Sequence, residues 1–146
     1  MTVRVRKGYI LVVAPNLVRF IGKLTTGENN ARAFAAFPFI IATPQNAETH
    51  WVINHELIHF RQQIETLFIG LPLISFFERQ YAKWVLKKSK IERYLYAASE
   101  QEAYRNQQDL DYLKKRRFAS LFAYIRDKKE FTFGSPGEIE YLPRAK

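Results

Sequence analysis

The residues with the clearest capacity for chemistry are His55 to His59, in the order His-Glu-Leu-Ile-His. Side chains four residues apart lie on the same face of a helix, so the two imidazoles can bind one metal ion. Glu56 follows the first histidine and can reach a water molecule beside that ion. This H-E-x-x-H spacing is typical of zinc hydrolases, in which the glutamate acts as general base. The pattern predicts two zinc ligands and a base, and it requires a third ligand elsewhere.

A carboxylate is the expected third ligand, because no histidine follows His59 and a catalytic zinc takes three protein ligands. Glu100 and Glu102 are the candidates. On a helix, Glu100 shares a face with Tyr104, whereas Glu102 points about 200° away. This spacing favours Glu100, with Tyr104 beside the metal. Ser99 and Glu102 fit a capping box, which gives Glu102 another role, although Glu102 remains the alternative ligand.

Other polar residues can complete such a site. A developing oxyanion needs a hydrogen-bond donor, and the imidazole N–H groups need acceptors. His50 lies about 140° around the helix from His55, so it is expected at the surface or at the helix start. The candidate donors are Tyr94, Tyr96, Tyr104 and Tyr141, and the candidate acceptors are Gln62, Gln63, Asp109 and Asp111.

The elements that position these residues are predicted to be mainly helical. Residues 1–45 favour a small sheet or hairpin, with strands or an irregular arm over 3–20 and a polar loop over 22–32. Phe37 to Ala42 is predicted to be a buried strand, and its segment Phe39 to Ala42 to be the edge that binds an extended substrate. Residues 129–146, rich in glycine and proline, predict an irregular tail. The chain is therefore predicted to be a single α+β domain, with helices over 46–128. Those helices are expected to begin near Asn46 to Thr49, which can supply the cap of the first, and then to span 73–88, 99–117 and 118–128.

The charge of the chain bears on its partners. A count of 23 Lys+Arg against 14 Asp+Glu gives +9, which favours anionic surfaces. The apolar runs 33–42 and 67–77 are shorter than the roughly 20 residues that span a membrane, but the second can make weak membrane-surface contact. The basic run 114–117 has no interleaved aromatic residues, so a solvated helix end is favoured over nucleic-acid binding.

The sequence also bears on the compartment. It contains no cysteine, which excludes disulfides and cysteine-ligated zinc. The apolar run 9–14 is soon interrupted by Pro15 and Arg19, so a secretory signal is not expected. A cytoplasmic location is predicted, with a location peripheral to a membrane as its variant.

The order of these motifs resembles that of the gluzincins, the zinc peptidases related to thermolysin. H-E-x-x-H at 55–59 is followed some forty residues later by Glu100-Gln101-Glu102-Ala103-Tyr104, which is similar to the E-x-x-A motif of that group. The likeness covers about residues 37–113, and it is greatest to the small minigluzincins and to bacterial metallopeptidases of similar size. In the family, the first glutamate of E-x-x-A binds zinc, and an aspartate that supports a histidine ligand often stands where this chain has Tyr104.

The resemblance implies a zinc-dependent endopeptidase that acts on peptides or proteins, with Glu56 as base and Tyr104 as a candidate oxyanion donor. Minigluzincins resemble zymogens in which a terminal segment covers the cleft, which implies that the tail of this chain could make the enzyme latent. The alternative function is a non-catalytic zinc-binding module that docks to a membrane or nucleic acid through its basic surface. Glu56 distinguishes the two, because a binding module has no need of a base.

Overall fold

The computed structural model describes residues 1–27 and 29–142 of the chain. Glu28 of the predicted loop and residues 143–146 of the predicted tail lie outside the described part. The fold is α+β and mainly helical, with a small N-terminal sheet, as predicted. Its strands are β1 (Thr2–Arg6), β2 (Tyr9–Val13), β3 (Ala33–Ala36), β4 (Phe39–Ala42), β5 (Phe131–Phe133) and β6 (Ile139–Tyr141). Its helices are α1 (Pro15–Thr25), α2 (His50–Glu65), α3 (Gly70–Trp84), α4 (Lys90–Tyr96), α5 (Ala98–Asn106), α6 (Tyr112–Lys115) and α7 (Leu121–Arg126).

The N-terminal sheet has the strand order β1-β2-β4-β3. β2 pairs parallel with β4, and β3 pairs antiparallel with the other side of β4. The prediction that Phe39 to Ala42 forms a free edge is therefore wrong, because β4 is paired on both sides. The free edge next to α2 belongs to β3, which shares the apolar run 33–42 with β4 and has no polar boundary to it in the sequence.

The sheet packs on the helix that carries the H-E-x-x-H motif. Leu11, Ile40 and Ala42 are buried on the inner face of the sheet, and Val52 and Phe60 of α2 lie in the same core cluster. Burial of apolar surface stabilises this contact by roughly 25 cal/mol per Å². The packing fixes α2 with its opposite, polar face turned toward α5.

β1 and β2 confirm the short strands predicted within 3–20, whereas α1 contradicts the prediction of strand, arm or loop over residues 15–25. Pro15 occupies the first turn of α1, where its fixed φ suits a helix and its missing N–H costs nothing. Val18 and Gly22, four residues apart, are the buried residues of this helix. In the sequence Pro15 was interpreted as an interruption of the apolar run 9–14, although its position is equally typical of a helix start.

The predicted third helix is divided in the structure. α5 ends at Asn106 and α6 is a single short turn, because residues 107–111 leave the helical path. α4 was not predicted, and the capping box lies at its start, where Ser89 and Glu92 exchange hydrogen bonds. The other helices agree with the prediction in type, with α3 displaced by three or four residues at each end.

The capping box predicted for Ser99 and Glu102 is wrong. Ala97 is the N-cap residue of α5, so Ser99 lies inside the helix and is buried beside Ser75. The Glu102 side chain accepts hydrogen bonds from residues outside its own helix instead of capping it.

The tail prediction is wrong for the segments that pair. β5 and β6 form an antiparallel hairpin, with Phe131 opposite Tyr141. Gly137 lies at a φ of 85° in the turn, against the ring of Trp51, where a Cβ would meet ring carbons at 2.7 Å. In the described part of the chain, no helix is both long and apolar enough to cross a membrane.

Candidate metal centre

α2 and α5 lie side by side and carry the residues of the candidate site. His55, Glu56 and His59 on α2 are buried, as is Glu100 on α5. Thr49 occupies the N-cap position of α2, but its hydroxyl donates to the Gln45 carbonyl and not back to the helix. His50 is exposed at the first residue of α2, as predicted.

Three potential ligand atoms converge between the two helices. The Nε2 atoms of His55 and His59 lie 3.2 Å apart, and Oε2 of Glu100 lies 3.5 Å and 3.6 Å from them. In a tetrahedral zinc site with bonds of about 2.0–2.1 Å, neighbouring ligand atoms are about 3.4 Å apart. The three atoms fit that spacing and leave a fourth corner for a water or substrate. Oε2 of Glu100 has no hydrogen-bond partner among the described residues although it is buried, which a metal ion would explain.

Each imidazole is held by an amide through its other nitrogen. Nδ1 of His55 lies 2.9 Å from Oε1 of Gln107, and Nδ1 of His59 lies 2.8 Å from Oε1 of Gln62. The amide orientations are defined, because Gln107 donates to the Gly137 carbonyl and Gln62 donates to the Ser99 carbonyl. An amide oxygen accepts from an N–H at Nδ1, so in the neutral imidazoles the lone pair lies on Nε2, the atom that faces the other potential ligands.

The electrostatics of the site favour a positive charge between the two helices. Burial alone would lower the pKa of His59, but the carboxylates of Glu100 and Glu56 raise it to about 9. Burial likewise opposes ionisation of Glu100, yet the imidazoles of His59 and His55 hold its pKa well below the usual range. A metal ion supplies the same positive charge.

Glu56 is buried and lies beside the three converging atoms. Burial raises the pKa of its carboxyl, and the neighbouring imidazoles of His55 and His59 only partly offset this. A raised pKa brings a carboxylate closer to the range in which it can accept and return a proton near neutral pH. The arrangement therefore provides a proton acceptor next to the open corner.

Two tyrosines flank the site. The ring of Tyr104 packs edge-on against His55, with centroids 4.5 Å apart, and Tyr94 lies 6.5 Å from Tyr104. Burial and the negative charge of Glu100 raise the pKa of both phenols, so they remain hydrogen-bond donors at neutral pH. Tyr96 and Tyr141, the other predicted donors, are not among the described residues that line the cleft.

Two cavities meet at Glu56. The larger has a volume of about 610 Å³ and reaches His59, Glu100 and α3, and the smaller reaches His55 and Tyr104. β3 runs along both cavities. Together they form a cleft with Glu56 at its middle and a strand edge along one wall.

Gln63 covers one end of the β3 edge. Its amide donates to the Ala35 carbonyl and accepts from the Phe37 N–H, so it occupies two backbone groups that face away from β4. The Arg32 carbonyl accepts a hydrogen bond from the Thr43 N–H on the β4 side of the strand. The backbone groups of successive strand residues point to alternate sides, so those of Ala33 point away from β4, as those of Ala35 do. Gln63 was predicted to hold an imidazole, and the structure assigns it to this strand instead.

Glu102 is removed from the converging atoms and belongs to a buried charge cluster. It accepts from Nε of Arg116 at 2.6 Å, from the Tyr112 hydroxyl at 2.8 Å and from the Gln62 amide at 2.9 Å. Arg116 also pairs with Glu65 at the end of α2. Glu102 therefore supports the site indirectly, through Gln62 and His59. Arg116 is part of this cluster and is not part of a solvated helix end.

Several supporting residues were not predicted. Asn54 donates to the carbonyls of Gln107 and Asp109, which fastens the end of α5 to α2. Gln107 follows Glu100 by seven residues, or two helical turns, and this spacing was a signal that could have identified it. Asp109 and Asp111, the predicted acceptors, pair instead with lysines at the surface.

The hairpin β5–β6 forms part of the wall of the site. Phe133 packs against Tyr104 with centroids 5.2 Å apart and lines the smaller cavity. The Gly137 carbonyl accepts from Gln107, which in turn contacts His55. The described part of the tail thus supports the site through specific contacts.

Searches of protein-family models, curated proteins and solved structures found no match to the chain.

Proposed function

We propose that the chain is a zinc-dependent peptidase of the gluzincin type. His55, His59 and Glu100 would hold the metal, and Glu56 would act as the general base. One observation carries this proposal: two Nε2 atoms and an otherwise unpartnered carboxylate oxygen converge at zinc-ligand spacing, with Glu56 beside them in a cleft.

The chemistry follows from the residues that face the open corner. Zinc bound there would polarise a peptide carbonyl and acidify a neighbouring water. Glu56 would take the proton from that water as its oxygen attacks the carbonyl carbon, and would return the proton to the leaving amine. Tyr104 or Tyr94 would donate a hydrogen bond to the oxyanion, because burial keeps their hydroxyl groups protonated.

The substrate class is proposed from the unpaired edge of β3. The backbone N–H and carbonyl of Ala33 and the N–H of Ala35 point to the free side of β3, where an extended peptide can pair as an added strand. Backbone pairing is independent of the substrate's side chains, which suits peptides or unfolded protein segments. Gln63 occupies the Ala35 carbonyl, so it would limit the pairing to the part of β3 that precedes this group.

Metal content tests this assignment directly. Purified protein is expected to contain about one zinc per chain by elemental analysis and to hydrolyse an unfolded protein such as casein. Glu100→Gln should lose most of the zinc, because one of its ligands loses its charge. Glu138→Gln, which changes an exposed glutamate, is the matched control and should keep the metal. Full zinc content in Glu100→Gln would move the third ligand, and hydrolysis that survives chelation would remove zinc from the reaction.

We also propose that the protein works in the cytoplasm, at an anionic membrane surface. The loop after α2 and the outer side of α3 expose large apolar side chains, including Leu67 (80% exposed), Ile69 (72%) and Phe77 (66%). Leu67 adopts a φ of 53°, which is strained for a branched side chain and gives the loop a defined shape. Lys83 and Lys87 lie near the exposed Trp84 at the C-terminal end of α3, the end opposite Leu67 and Ile69. Apolar residues beside lysines suit the anionic cytoplasmic leaflet.

Vesicle binding tests the membrane proposal independently of catalysis. The protein should sediment with vesicles that contain phosphatidylglycerol and only weakly with pure phosphatidylcholine. Ile69→Ser combined with Phe77→Ser should reduce this binding about tenfold or more, because about 1.5–3 kcal/mol is available for each large buried side chain. Phe118→Ser, which alters an exposed phenylalanine outside α3, is the control. Equal sedimentation of the two variants would contradict the proposal.

A further inference from the structure

Arg79 is a charged residue in the cleft without an assigned role. It lies on α3 and lines the larger cavity together with Glu56, His59 and Glu100. The carbon of its guanidinium group lies 5.1 Å from the ring centroid of Tyr94, which packs one face of the group. Its Nε is buried and has no hydrogen-bond partner among the described residues.

The lack of a carboxylate partner distinguishes Arg79 from Arg116 and Lys128. Arg116 is paired with Glu65 and Glu102, and Lys128 is paired with Glu78. Across residues 1–27 and 29–142, no carboxylate lies within ion-pair distance of Arg79. Glu78, its neighbour in sequence, is occupied by Lys128 and by the Ala98 N–H. A partly buried cation without a partner is costly unless an anion from outside the chain pairs with it.

The surroundings of Arg79 suit a carboxylate ligand. A guanidinium group can donate two parallel hydrogen bonds to a carboxylate, and packing against a ring restrains its plane. The hydroxyl groups of Ser75 and Ser99 lie 3.3 Å apart in the same cavity and can donate further hydrogen bonds. With neutral imidazoles, the charge of bound zinc would be balanced by the carboxylates of Glu100 and Glu56. The charge of Arg79 would then make the zinc-bound cleft positive.

We propose that Arg79 binds a carboxylate of the substrate in the larger cavity and thereby determines specificity. This inference rests on the proposed peptidase function for the identity of the ligand as a peptide. The carboxylate comes either from the C-terminus of the substrate or from an acidic side chain near the cleaved bond. Both sources present the same planar anion to the guanidinium group.

Paired peptides distinguish the two sources. One pair is acetyl-alanyl-alanyl-phenylalanyl-leucine as the free acid and as the C-terminal amide. The other pair, both amidated, ends in glutamate or in glutamine. In one of the two pairs, the zinc-loaded protein should show a kcat/KM about 10- to 100-fold higher for the charged member, which corresponds to a charge-assisted hydrogen bond. Equal rates within both pairs would overturn the inference and leave the peptidase function intact.

Substitution of Arg79 should abolish that preference alone. Arg79→Met is expected to lower kcat/KM for the preferred charged peptide about 10- to 100-fold and to leave its uncharged partner unchanged. Arg79→Lys keeps the positive charge but lacks the two parallel donors, so it should lose part of the preference for the charged peptide. The lysine variant also provides the test if Arg79→Met fails to fold. Arg19→Met, which changes an exposed arginine of α1 outside both cavities, is the control. An equal loss for charged and uncharged peptides in both Arg79 variants would contradict recognition of a carboxylate.

Calorimetry makes the inference testable apart from turnover. The same peptides are titrated into Glu56→Gln protein that carries either Arg79 or Arg79→Met. Tighter binding of a charged member that disappears with Arg79 supports the inference even if the wild type hydrolyses no peptide. Equal binding of all four peptides with Arg79 present overturns it.

Discussion

Glu56→Gln is expected to keep zinc at the wild-type level and to lower kcat about 100- to 10,000-fold. The range is the usual contribution of a general acid–base residue. Glutamine has nearly the same shape as glutamate, so the packing between α2 and α5 should not change. It cannot accept a proton, however, so the attacking water would not be activated. The prediction depends on the position of Glu56 beside the three converging atoms but not among them.

The measurements for this prediction are zinc content, melting temperature and the initial rate of peptide hydrolysis on the same preparations. Glu138→Gln, purified in parallel, controls for the loss of a glutamate elsewhere. A parallel preparation of the Glu56 variant also reports any contaminating protease. Equal rates for wild type and Glu56→Gln would rule out the catalytic proposal and favour a non-catalytic zinc-binding module.

The sequence predicted those parts of the site that depend on local helical geometry. His55 and His59 needed only the four-residue spacing, and Glu100 was favoured over Glu102 by the face it shares with Tyr104. The structure brings Glu100 to the histidine pair and leaves Glu102 in another cluster. These relations hold because side chains within one helix have fixed angular positions.

The parts that could not be predicted depend on contacts between distant segments. His55 contacts Gln107, 52 residues away, and Gln107 contacts Gly137, 30 residues further on. No local pattern encodes such a chain of hydrogen bonds. The capping box was assigned to Ser99 because Glu102 follows at the right spacing, yet burial of Glu102 against Arg116 determined the outcome.

Strand order was unpredictable for a related reason. The run 33–42 is apolar throughout, so its turn at Phe37 and Pro38 has no polar boundary. Only the pairing of β2 with β4 decides which half of the run is internal. The free edge of the sheet consequently lies at Ala33–Ala36 and not at the predicted Phe39–Ala42 segment.

Arg116→Met is expected to lower the free energy of unfolding by about 3–5 kcal/mol, the usual cost of removing one partner from a buried ion pair. The side chain of Arg116 is 3% exposed, and those of Glu102 and Glu65 are 0% and 9% exposed. Without the guanidinium group, two buried carboxylates would repel each other in a region that water barely reaches. Methionine fills a similar volume, so the change tests charge and hydrogen bonding more than packing.

Urea unfolding of the zinc-free protein measures this loss, with Arg117→Met as the matched control because Arg117 is the exposed neighbour. The control should change stability by less than about 0.5 kcal/mol.

Zinc affinity should fall as well in Arg116→Met, since Glu102 holds Gln62 and Gln62 holds the imidazole of His59. Loss of such a supporting contact typically weakens metal binding about 10- to 100-fold. Equal stability of the two variants would mean that the cluster does not need Arg116, whereas lost stability with unchanged zinc affinity would separate the cluster from the metal centre.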